Sequence, residues 1–567
     1  MHSPISRLLL AVFPSLALAS PTVNRLGHRD IKNSSSITPT AELAYGTYHG
    51  VHNEEYAQDF FLGMPYAQPP TGSLRFAAPQ PLTTSFSEPR QATEYGNLCI
   101  GYGADTTNIG TAVSEDCLTI NVVRPAGVKG GDDLPVAVWV HGGSYIMGGS
   151  RDPRYNLTWI VEQSVKEGKP IVAASINYRL SYWGFLFSEE MKEAGAGNIG
   201  FRDQRMALQW VQENIGAFGG SPDKVTIWGE SAGARSLGMQ LVAYEGQHDN
   251  LFRSAILESG SPVAQFKNAS DWQPYFDAVV GMAGCGTAAD PLTCLQGLPW
   301  EALNDIFNGT TALNVTAPTL SAVLDDDFMT AQGSQLLRQG KFAPVPLLLG
   351  NNFDEGTAYG KQGINTTAQF LAYLGSLGFD AALASAIAEV YPDDPSIGVP
   401  AFYEGRPAAY PYGLQFKRAA AFAGDFQQHA GRRLAAEMYA GAHIPVYSYL
   451  WNVHVAGVAA VFGATHFQEV AFVFDNTDGL GYSANPFEGK PETFEQLADL
   501  MSRQWVAFID STNPNLKRGC SVRKWPQYTV ENPSNYVYDV NRTGLTYIAK
   551  DDYRKAEISY LLENVFS

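Results

Sequence analysis

The sequence predicts an α/β fold with one large, mostly parallel central sheet, helices on both faces, and insertions. Short apolar runs rich in Val and Ile alternate with amphipathic helical patterns, the order expected of strands joined by helical crossovers. The 567 residues are 45% hydrophobic, which is enough for a large core. No Pro-, Ser- or Gly-rich linker and no repeat interrupts the chain, so we expect residues 41–567 to form a single domain.

The elements follow in a regular order along the chain. Residues 201–215 have apolar side chains at helical spacing with charges between them, and residues 232–242 form a second predicted helix. Because ligands bind beyond the carboxyl ends of parallel strands, the polar residues that follow each apolar run are candidate site residues. The predicted strands are residues 135–140, 170–177, 224–229, 254–257, 345–350 and 444–451.

The N-terminus is typical of an exported protein. Residues 1–19 predict a signal peptide: Arg7 is followed by a short apolar run that ends in the A-x-A site at 17–19. Residues 20–40 are polar and predict a flexible arm. No later stretch has 18 consecutive apolar residues, so we expect a secreted protein without stable membrane insertion.

Two further features agree with secretion. Of the five cysteines, spacing alone favours the short loops Cys99–Cys117 and Cys285–Cys294, and leaves Cys520 as a small buried apolar residue. Seven sequons are candidates for glycosylation. They lie at Asn33, Asn156, Asn268, Asn308, Asn314, Asn365 and Asn541.

The charge excludes one class of function. A formal net charge of -18 repels phosphate backbones, so nucleic acid is not an expected partner. The chain has no H-E-x-x-H or similar metal motif, and we expect no metal and no other cofactor.

The strand KVTIW is followed by Gly229-Glu230-Ser231-Ala232-Gly233, which is a G-x-S-x-G motif. Its glycines permit a sharp turn from strand to helix that exposes the serine hydroxyl. The motif also arises by chance, or as a simple glycine turn, but here a strand precedes it, a helix follows it, and no second copy exists. We therefore predict that Ser231 is a nucleophile.

A nucleophilic serine requires hydrogen-bond donors for the oxyanion that forms during attack. The strand PVAVWV leads into His141-Gly142-Gly143-Ser144-Tyr145, a glycine loop whose backbone N–H groups could face the site. An ordinary glycine loop is the alternative interpretation. The position of residues 141–145 before the serine motif in the chain favours the catalytic interpretation.

The general base and its orienting acid each have two candidates from the residues alone. Asp354 and Glu355 both follow the strand VPLLLG, and their residue types do not distinguish them. His454 directly follows a predicted strand, whereas His466 lies in a loop-like segment before another apolar run.

These residues resemble the type-B carboxylesterase/lipase family, which includes cholinesterases, animal carboxylesterases and fungal lipases. The likeness runs through FLGMPYAQPPTGSLRF from Phe61, SEDCLTINVVRP from Ser114 and NIGFRDQRMALQWVQENIGAFGGSPDKVTIWGESAGA from Asn198. It continues through AILESGSP, the DEG at 354–356 and GATHFQEVAFVF, and covers nearly all of residues 41–560. The resemblance implies an α/β-hydrolase fold and a secreted carboxylesterase of fungal type.

The resemblance selects among the open alternatives. It implies the triad Ser231, Glu355 and His466, in the chain order of this fold. It also implies oxyanion donors at the amides of Gly143, Ser144 and Ala232, where Ser144 replaces the more common third glycine. The remaining implied features are supporting residues, ion pairs and disulfides: Glu230, Ser259, Glu469, Arg75–Glu115, Arg179–Asp203, Cys99–Cys117 and Cys285–Cys294.

The resemblance also bears on the substrate, which we expect to be a small-molecule or lipid ester. In lipases of the family the loop matching Cys99–Cys117 is longer and forms a lid, whereas here it is short and polar (IGYGADTTNIGTAVSED). This favours an esterase, with a lipase or steryl esterase as the alternative. The loop has no Trp, which argues against a cholinesterase, because cholinesterases use an aromatic side chain there to bind a quaternary ammonium group. An intact triad argues against a non-catalytic adhesion or binding homologue.

Overall fold

The computed structural model describes residues 38–105, 109, 112–309, 313, 315–516 and 522–567. The predicted signal peptide (1–19), nearly all of the predicted arm (20–40), Asn33, Asn314 and Cys520 lie outside the described residues. Predictions for those positions therefore stay predictions.

The core of the fold is an eleven-stranded sheet that extends from residue 51 to residue 550. We number its strands in chain order. They are β1 Val51–Asn53, β2 Gln58–Pro65, β3 Thr119–Pro125, β4 Leu134–Val140, β5 Val172–Ile176, β6 Gly220–Glu230, β7 Ser254–Glu258, β8 Leu347–Asn352, β9 Val446–Trp451, β10 Ser534–Tyr538 and β11 Thr546–Lys550.

The strands lie in the order β1-β2-β3-β5-β4-β6-β7-β8-β9-β10-β11. This is the order of the chain except that β4 and β5 exchange places. The seven strands from β5 to β10 pair in parallel, while pairing at both margins is antiparallel. In β6, Gly229 pairs with Val140 of β4 and Glu230 with Glu258 of β7. Parallel pairing places the carboxyl ends of β4 and β6 to β9 at one edge.

Helices connect the strands. We number them α1 Leu157–Lys166, α2 Ser181–Phe185, α3 Glu189–Glu193, α4 Ile199–Asn214, α5 Ala232–Val242, α6 Ala269–Met282, α7 Pro291–Gln296, α8 Trp300–Asn308, α9 Gly333–Arg338, α10 Gly356–Tyr359, α11 Thr367–Ser376, α12 Ala381–Val390, α13 Phe416–Gly424, α14 Ala430–Gly441, α15 Val470–Val473, α16 Thr493–Ser511 and α17 Lys555–Asn564. No helix in the described residues is long and apolar enough to cross a membrane.

Alternate side chains of each central strand enter opposite cores, as the period of two in a strand requires. Ile227 of β6 lies in the core covered by α4, α5 and α14, whereas its neighbour Trp228 lies in the core covered by α1 and α16. The sheet is thus buried on both faces, which explains why its strands are continuous apolar runs rather than alternating ones. This arrangement confirms the predicted fold class.

Smaller elements surround the sheet. Thr40–Leu43, Gly46–His49 and Arg90–Gln91 form a three-stranded sheet, and Leu98–Cys99 pairs with Val113–Ser114. Helices α6, α7 and α8 pack in a third apolar cluster, which also includes Ile100 and Trp183. The two predicted disulfides are present: Cys99–Cys117 closes the loop beside the Leu98–Cys99 strand, and Cys285–Cys294 joins the segment after α6 to α7.

The predicted strand bounds differ from the observed ones for identifiable reasons. β8 and β9 begin after Pro346 and Pro445, which have no N–H to donate to a neighbouring strand. β6 begins at Gly220 rather than at residue 224, because Gly220 pairs with Leu134 across an irregularity before Val225. The helix predicted at 232–242 has the observed bounds.

Candidate active site

Ser231 lies at the turn between β6 and α5, with φ 56° and ψ -123°. Non-glycine residues rarely adopt a positive φ, and such strain is typical of a nucleophile held at a sharp turn. The flanking glycines allow the turn to form. A Cβ at Gly229 would lie 2.7 Å from the carbonyl oxygen of Val140, and one at Gly233 only 2.0 Å from the same atom.

Three side chains from distant parts of the chain are hydrogen-bonded in series. His466 Nε2 lies 2.7 Å from Ser231 Oγ, and His466 Nδ1 lies 2.7 Å from Glu355 Oε2. Glu355 follows β8, and His466 lies in the loop between β9 and α15. The carboxyl edge of the parallel strands therefore brings the three predicted residues together.

Asp354 and His454, the two candidates that the resemblance did not select, make hydrogen bonds elsewhere. Asp354 accepts a hydrogen bond from the backbone N–H of Ala464 (2.9 Å), so its carboxyl faces the loop before His466 rather than the imidazole. Burial raises the pKa of Asp354 to about 7. His454 Nε2 lies 2.7 Å from the carbonyl oxygen of Val458, within its own loop.

Glu355 is fully buried, yet it is surrounded by donors. Its Oε1 accepts hydrogen bonds from the backbone N–H of Asn352 (2.8 Å) and from the hydroxyl of Ser259. Burial alone raises the pKa of a carboxyl group, but here the imidazole of His466 and these hydrogen bonds outweigh burial and hold the pKa of Glu355 below its usual value. Glu355 is therefore an anion in the folded protein.

A second buried carboxyl group, Glu469, lies behind the first. Its Oε2 accepts from the side-chain amide of Asn352 (2.5 Å), and its Oε1 lies 3.3 Å from the Ser259 hydroxyl, which Glu355 shares. Burial, and then the charge of Glu355, raise the pKa of Glu469 to about 7. The site thus holds one carboxylate as an anion and keeps its neighbour neutral below neutral pH.

Glu230 precedes the serine and completes this cluster. Its Oε1 lies 3.2 Å from His466 Nε2. Neither of its oxygens makes a hydrogen bond in the part of the chain that the structure describes. Burial and the nearby carboxylates of Glu469 and Glu355 hold the pKa of Glu230 well above its usual value. A neutral Glu230 avoids placing an unpaired charge in the core.

The glycine loop after β4 folds back on itself beside the nucleophile. The backbone N–H groups of Ile146 and Met147 both donate to the carbonyl oxygen of Gly143, at 3.0 and 3.1 Å. Gly143 has φ 99°, and a Cβ there would lie 2.2 Å from the carbonyl oxygen of Met147. A Cβ on Gly142 would lie 3.1 Å from Ser231 Cβ, so the loop packs directly against the serine.

Ser144 adopts φ 56° at this turn, and its side chain is exposed. The hydroxymethyl group therefore projects from the loop rather than packing beneath it. Ala232, the third predicted oxyanion residue, is the first residue of α5. The first N–H groups of a helix have no acceptor within it, so that amide can serve a ligand.

Sequence reasoning missed several residues of the site. Asn352 contacts both buried glutamates, and Tyr359 on α10 places its ring 5.0 Å from the ring of His466. Both lie within four residues of Glu355, which is the signal that could have found them. Arg154, whose guanidinium lies over the ring of Phe467, has no such signal because its contact joins segments far apart in the chain.

The two ion pairs that the resemblance implies are present and buried. Arg75 Nε lies 2.6 Å from Glu115 Oε1, and Arg179 Nη2 lies 2.6 Å from Asp203 Oδ1. Within the described ranges no group of three or more His, Cys, Asp or Glu side chains could hold a metal ion.

The sheet order, the strained serine and the hydrogen-bonded series define an α/β-hydrolase. The chain belongs to the carboxylesterase family, which it matches over residues 37–559. It is therefore a carboxylic ester hydrolase.

The comparisons include both lipases and esterases. The chain is 35% identical to "Lipase 4" of Diutina rugosa, over 94% of this chain and 97% of that protein. It is 31% identical to "Secreted lipase 1" of Botryotinia fuckeliana, over 97% of each. Among solved structures, Aspergillus niger EstA matches with a TM-score of 0.79 and 27% identity, over 94% of this chain and 99% of that one. A structure named "PNB esterase" matches with a TM-score of 0.74 and 26% identity, over 92% of this chain and 100% of that one.

Proposed function

We propose that this protein is a secreted carboxylic ester hydrolase that uses Ser231 as nucleophile, His466 as general base and Glu355 as the orienting acid. The observation that carries the proposal is the unbroken series of two 2.7 Å contacts from Ser231 Oγ through the imidazole to Glu355. This is the arrangement that a serine hydrolase requires.

In the first half of the reaction, His466 Nε2 accepts the hydroxyl proton as Ser231 Oγ attacks the ester carbonyl carbon. Glu355 accepts a hydrogen bond from Nδ1–H, which fixes the tautomer and stabilises the imidazolium. The amides of Gly143, Ser144 and Ala232 donate to the oxyanion. The imidazolium then returns its proton to the leaving alkoxide, and the alcohol departs from a covalent acyl-enzyme.

In the second half, water attacks the acyl-enzyme while His466 takes the water's proton. Collapse of the tetrahedral intermediate breaks the bond to Ser231 Oγ, returns the proton to that oxygen and releases the carboxylic acid. Glu230 and Glu469 support this cycle as neutral groups below neutral pH, so that the charge of Glu355 alone faces the imidazolium.

Secretion is supported by relatives named as secreted lipases and by the two disulfides, which are typical of oxidising compartments. Three of the predicted glycosylation sites have exposed side chains: Asn268, Asn308 and Asn541. Asn156 and Asn365 are half-buried.

The short, polar Cys99–Cys117 loop favours soluble esters as substrates, since it offers little apolar surface for a lid. A lipase is the second candidate, because several relatives carry that name. A chain-length series of p-nitrophenyl esters, with and without emulsified triglyceride, separates the two. A short-chain optimum without a rate increase at the emulsion indicates an esterase, and a jump in rate at the emulsion indicates a lipase.

The mechanism is tested with matched pairs of variants assayed on p-nitrophenyl butyrate. Ser231→Ala, His466→Ala and Glu355→Gln should each lower kcat by about 10⁴-fold or more. The controls are Ser385→Ala, at an exposed serine of α12, and His454→Ala and Asp354→Asn, at the two residues that the resemblance did not select. Each control should keep kcat within about threefold of the parent, since none of these side chains touches the reacting atoms. Thermal unfolding shows that each variant is folded. A folded Ser231→Ala protein with parental activity would overturn the assignment.

A further inference from the structure

Arg235 is a cation beside the nucleophile that has no acidic partner. It lies one turn into α5, where its backbone N–H donates to the carbonyl oxygen of Ser231 (2.8 Å), and its side chain is half-buried. Among the described residues no carboxylate pairs with its guanidinium, which makes hydrogen bonds only to Gln427, through Nη2. A guanidinium carries five N–H donors, so those on Nε and Nη1 remain available to a ligand.

The position of Arg235 in α5 directs its side chain toward the site. Residues four apart lie on one face of a helix, and helical side chains lean toward the N-terminus, so Arg235 leans back over the turn that carries Ser231. Its Nη2 donates to the backbone carbonyl oxygen of Gln427 (2.8 Å), in the π-helical turn Asp425–His429 between α13 and α14. Such turns are rare and are frequent at functional sites.

The same π-helical turn contacts the proposed base through Tyr359. Gln428, the residue after Gln427, places its Nε2 3.2 Å from the hydroxyl oxygen of Tyr359, whose ring lies 5.0 Å from the ring of His466. Arg235, Gln427, Gln428 and Tyr359 thus form a continuous group, which we call the polar arc. The arc extends from the helix of the nucleophile to the imidazole.

The charge of Arg235 acts on both sides of the nucleophile. Burial and the charge of Glu355 raise the pKa of Tyr359 well above its usual value, and the positive charge of Arg235 opposes them. Burial also raises the pKa of Tyr145, in the glycine loop, and there too the charge of Arg235 opposes it. The guanidinium is therefore within electrostatic reach of both the glycine loop and the ring beside His466.

A buried amide in the polar arc also lacks a partner. Gln428 is only 1% exposed, and its Oε1 makes no hydrogen bond in the part of the chain that the structure describes. Buried polar atoms are nearly always satisfied, so such an atom beside the site indicates a polar ligand. Rotation of the amide by 180° lets Oε1 accept from the Tyr359 hydroxyl and leaves Nε2 to donate to that ligand.

We propose that the polar arc binds a free carboxylate that the substrate carries in addition to its ester group, and that Arg235 selects such acidic esters. The inference rests on the proposed function, since it names a substrate class for the same site. A guanidinium matches the geometry of a carboxylate and can hold both of its oxygens. The net charge of -18 does not prevent binding, because distant charges are screened over about 8 Å at physiological ionic strength, whereas Arg235 would contact the ligand directly.

The test compares esters that differ only in charge. Monoethyl succinate, glutarate and adipate carry a carboxylate on the acyl side of the ester, and 3-acetoxypropanoate and 4-acetoxybutanoate carry one on the alcohol side. Each has an uncharged counterpart in which a primary amide replaces the carboxylate. Release of ethanol or acetate gives kcat/KM. The ratio of kcat/KM for the charged ester to that for its amide is the charge preference.

Arg235→Gln should lower the charge preference at least about tenfold in one of the two series, because it removes a charge-assisted hydrogen bond. Arg235→Lys keeps the cation and should retain most of the preference. Gln428→Leu, a nearly isosteric second probe, should lower the preference by about threefold or more. The matched control is Arg253→Gln, which should leave the preference unchanged. Arg253 is also half-buried and donates to two backbone carbonyl oxygens, but it precedes β7 and so lies at the other end of that strand from the site.

A purely structural role for Arg235 gives a different result. If the side chain only anchors the carbonyl of Gln427, a folded Arg235→Gln protein loses kcat/KM equally on charged and uncharged esters. An unchanged charge preference in both series, for Arg235→Gln and for Gln428→Leu, overturns the inference. So does a parent enzyme that hydrolyses none of the charged esters. Neither outcome bears on the proposed function, which is judged by the loss of all ester hydrolysis in Ser231→Ala.

Discussion

The guanidinium carbon of Arg154 lies 4.8 Å from the ring centre of Phe467, the residue that directly follows His466. The same guanidinium pairs with Asp152 (2.5 Å) and with Asp105 (2.8 Å), which lies in the Cys99–Cys117 loop. Phe467 has φ 73°, an uncommon conformation that its surroundings must hold. Arg154 therefore connects the disulfide loop to the residue that follows His466, the proposed base.

Arg154→Leu should lower kcat for p-nitrophenyl butyrate by about fivefold, because the cation–π contact that it removes contributes about 1 kcal/mol to holding Phe467 and thus His466. It should also lower the melting temperature, since it leaves the buried Asp152 without its partner. Arg151→Leu is the matched control, because Arg151 contacts Tyr95 instead. Equal kcat values for the two variants would contradict a role for Arg154 in positioning the base.

Ser144→Gly should stabilise the protein by about 1 kcal/mol, because φ 56° costs a serine about that much and costs glycine almost nothing. The backbone amide is kept, so hydrolysis of small acetate esters should persist. Loss of the exposed hydroxymethyl group should favour esters with bulkier groups beside the carbonyl. Thermal unfolding and kcat/KM for acetate and pivalate esters check both parts; a ratio that does not change would show that Ser144 does not narrow the site.

Asp354 makes stability depend on pH. Its pKa is raised by burial to about 7 in the folded protein, whereas an unfolded Asp ionises near 4. Between these values the folded state binds more protons than the unfolded state, so this contribution to stability is complete below pH 4 and is lost as pH rises through 7. Asp354→Asn, which keeps an acceptor for Ala464, should raise stability at pH 8 relative to the parent by about 2–4 kcal/mol. At pH 4 the two proteins should unfold at similar temperatures; a constant difference across pH would contradict this account.

Removal of either disulfide should lower stability, but removal of only one of them should also lower kcat. Replacing either pair by serine should destabilise the protein by about 2–4 kcal/mol through the entropy gained by the unfolded chain. Only the Cys99→Ser/Cys117→Ser variant should also lose kcat at a temperature where it is folded. In its loop the backbone N–H of Tyr102 donates to the carbonyl oxygen of Ile146 (2.7 Å), beside the predicted oxyanion residues. Cys285→Ser/Cys294→Ser is the control, because that bond joins the segment after α6 to α7 and closes no loop beside the glycine loop. Equal loss of kcat in both variants would exclude a link between the loop and the site.

Much of the fold was predictable because its signals are local. The strand before Ser231, the helix after it and the glycines around it each follow from neighbouring residue types, and the structure has all of them. The disulfide pairs also followed from short spacing. The predicted start of β9 was wrong by two residues, because the apolar pattern carries no information about the missing N–H of Pro445.

The proposed acid and base could not be identified from neighbouring residues alone. Asp354 and Glu355 are neighbours of similar chemistry, and His454 follows a strand more closely than His466 does. Family resemblance favoured Glu355 and His466, but the reason lies in the packing of β8 against β9. That packing turns Asp354 toward the Ala464 backbone and Glu355 toward the imidazole.

The sequence by itself determined the fold class, the identity of the strained serine and the pairing of four cysteines, since each depends on residues close together in the chain. Only the tertiary structure decided which carboxyl groups are charged. Glu355 and Glu469 are both fully buried, yet hydrogen bonds and the imidazole hold the pKa of the first below its usual value, whereas burial and then the charge of Glu355 raise the pKa of the second to about 7. The ionisation of a buried group depends on the distance to charges and donors from other segments, and that distance exists only once the chain has folded.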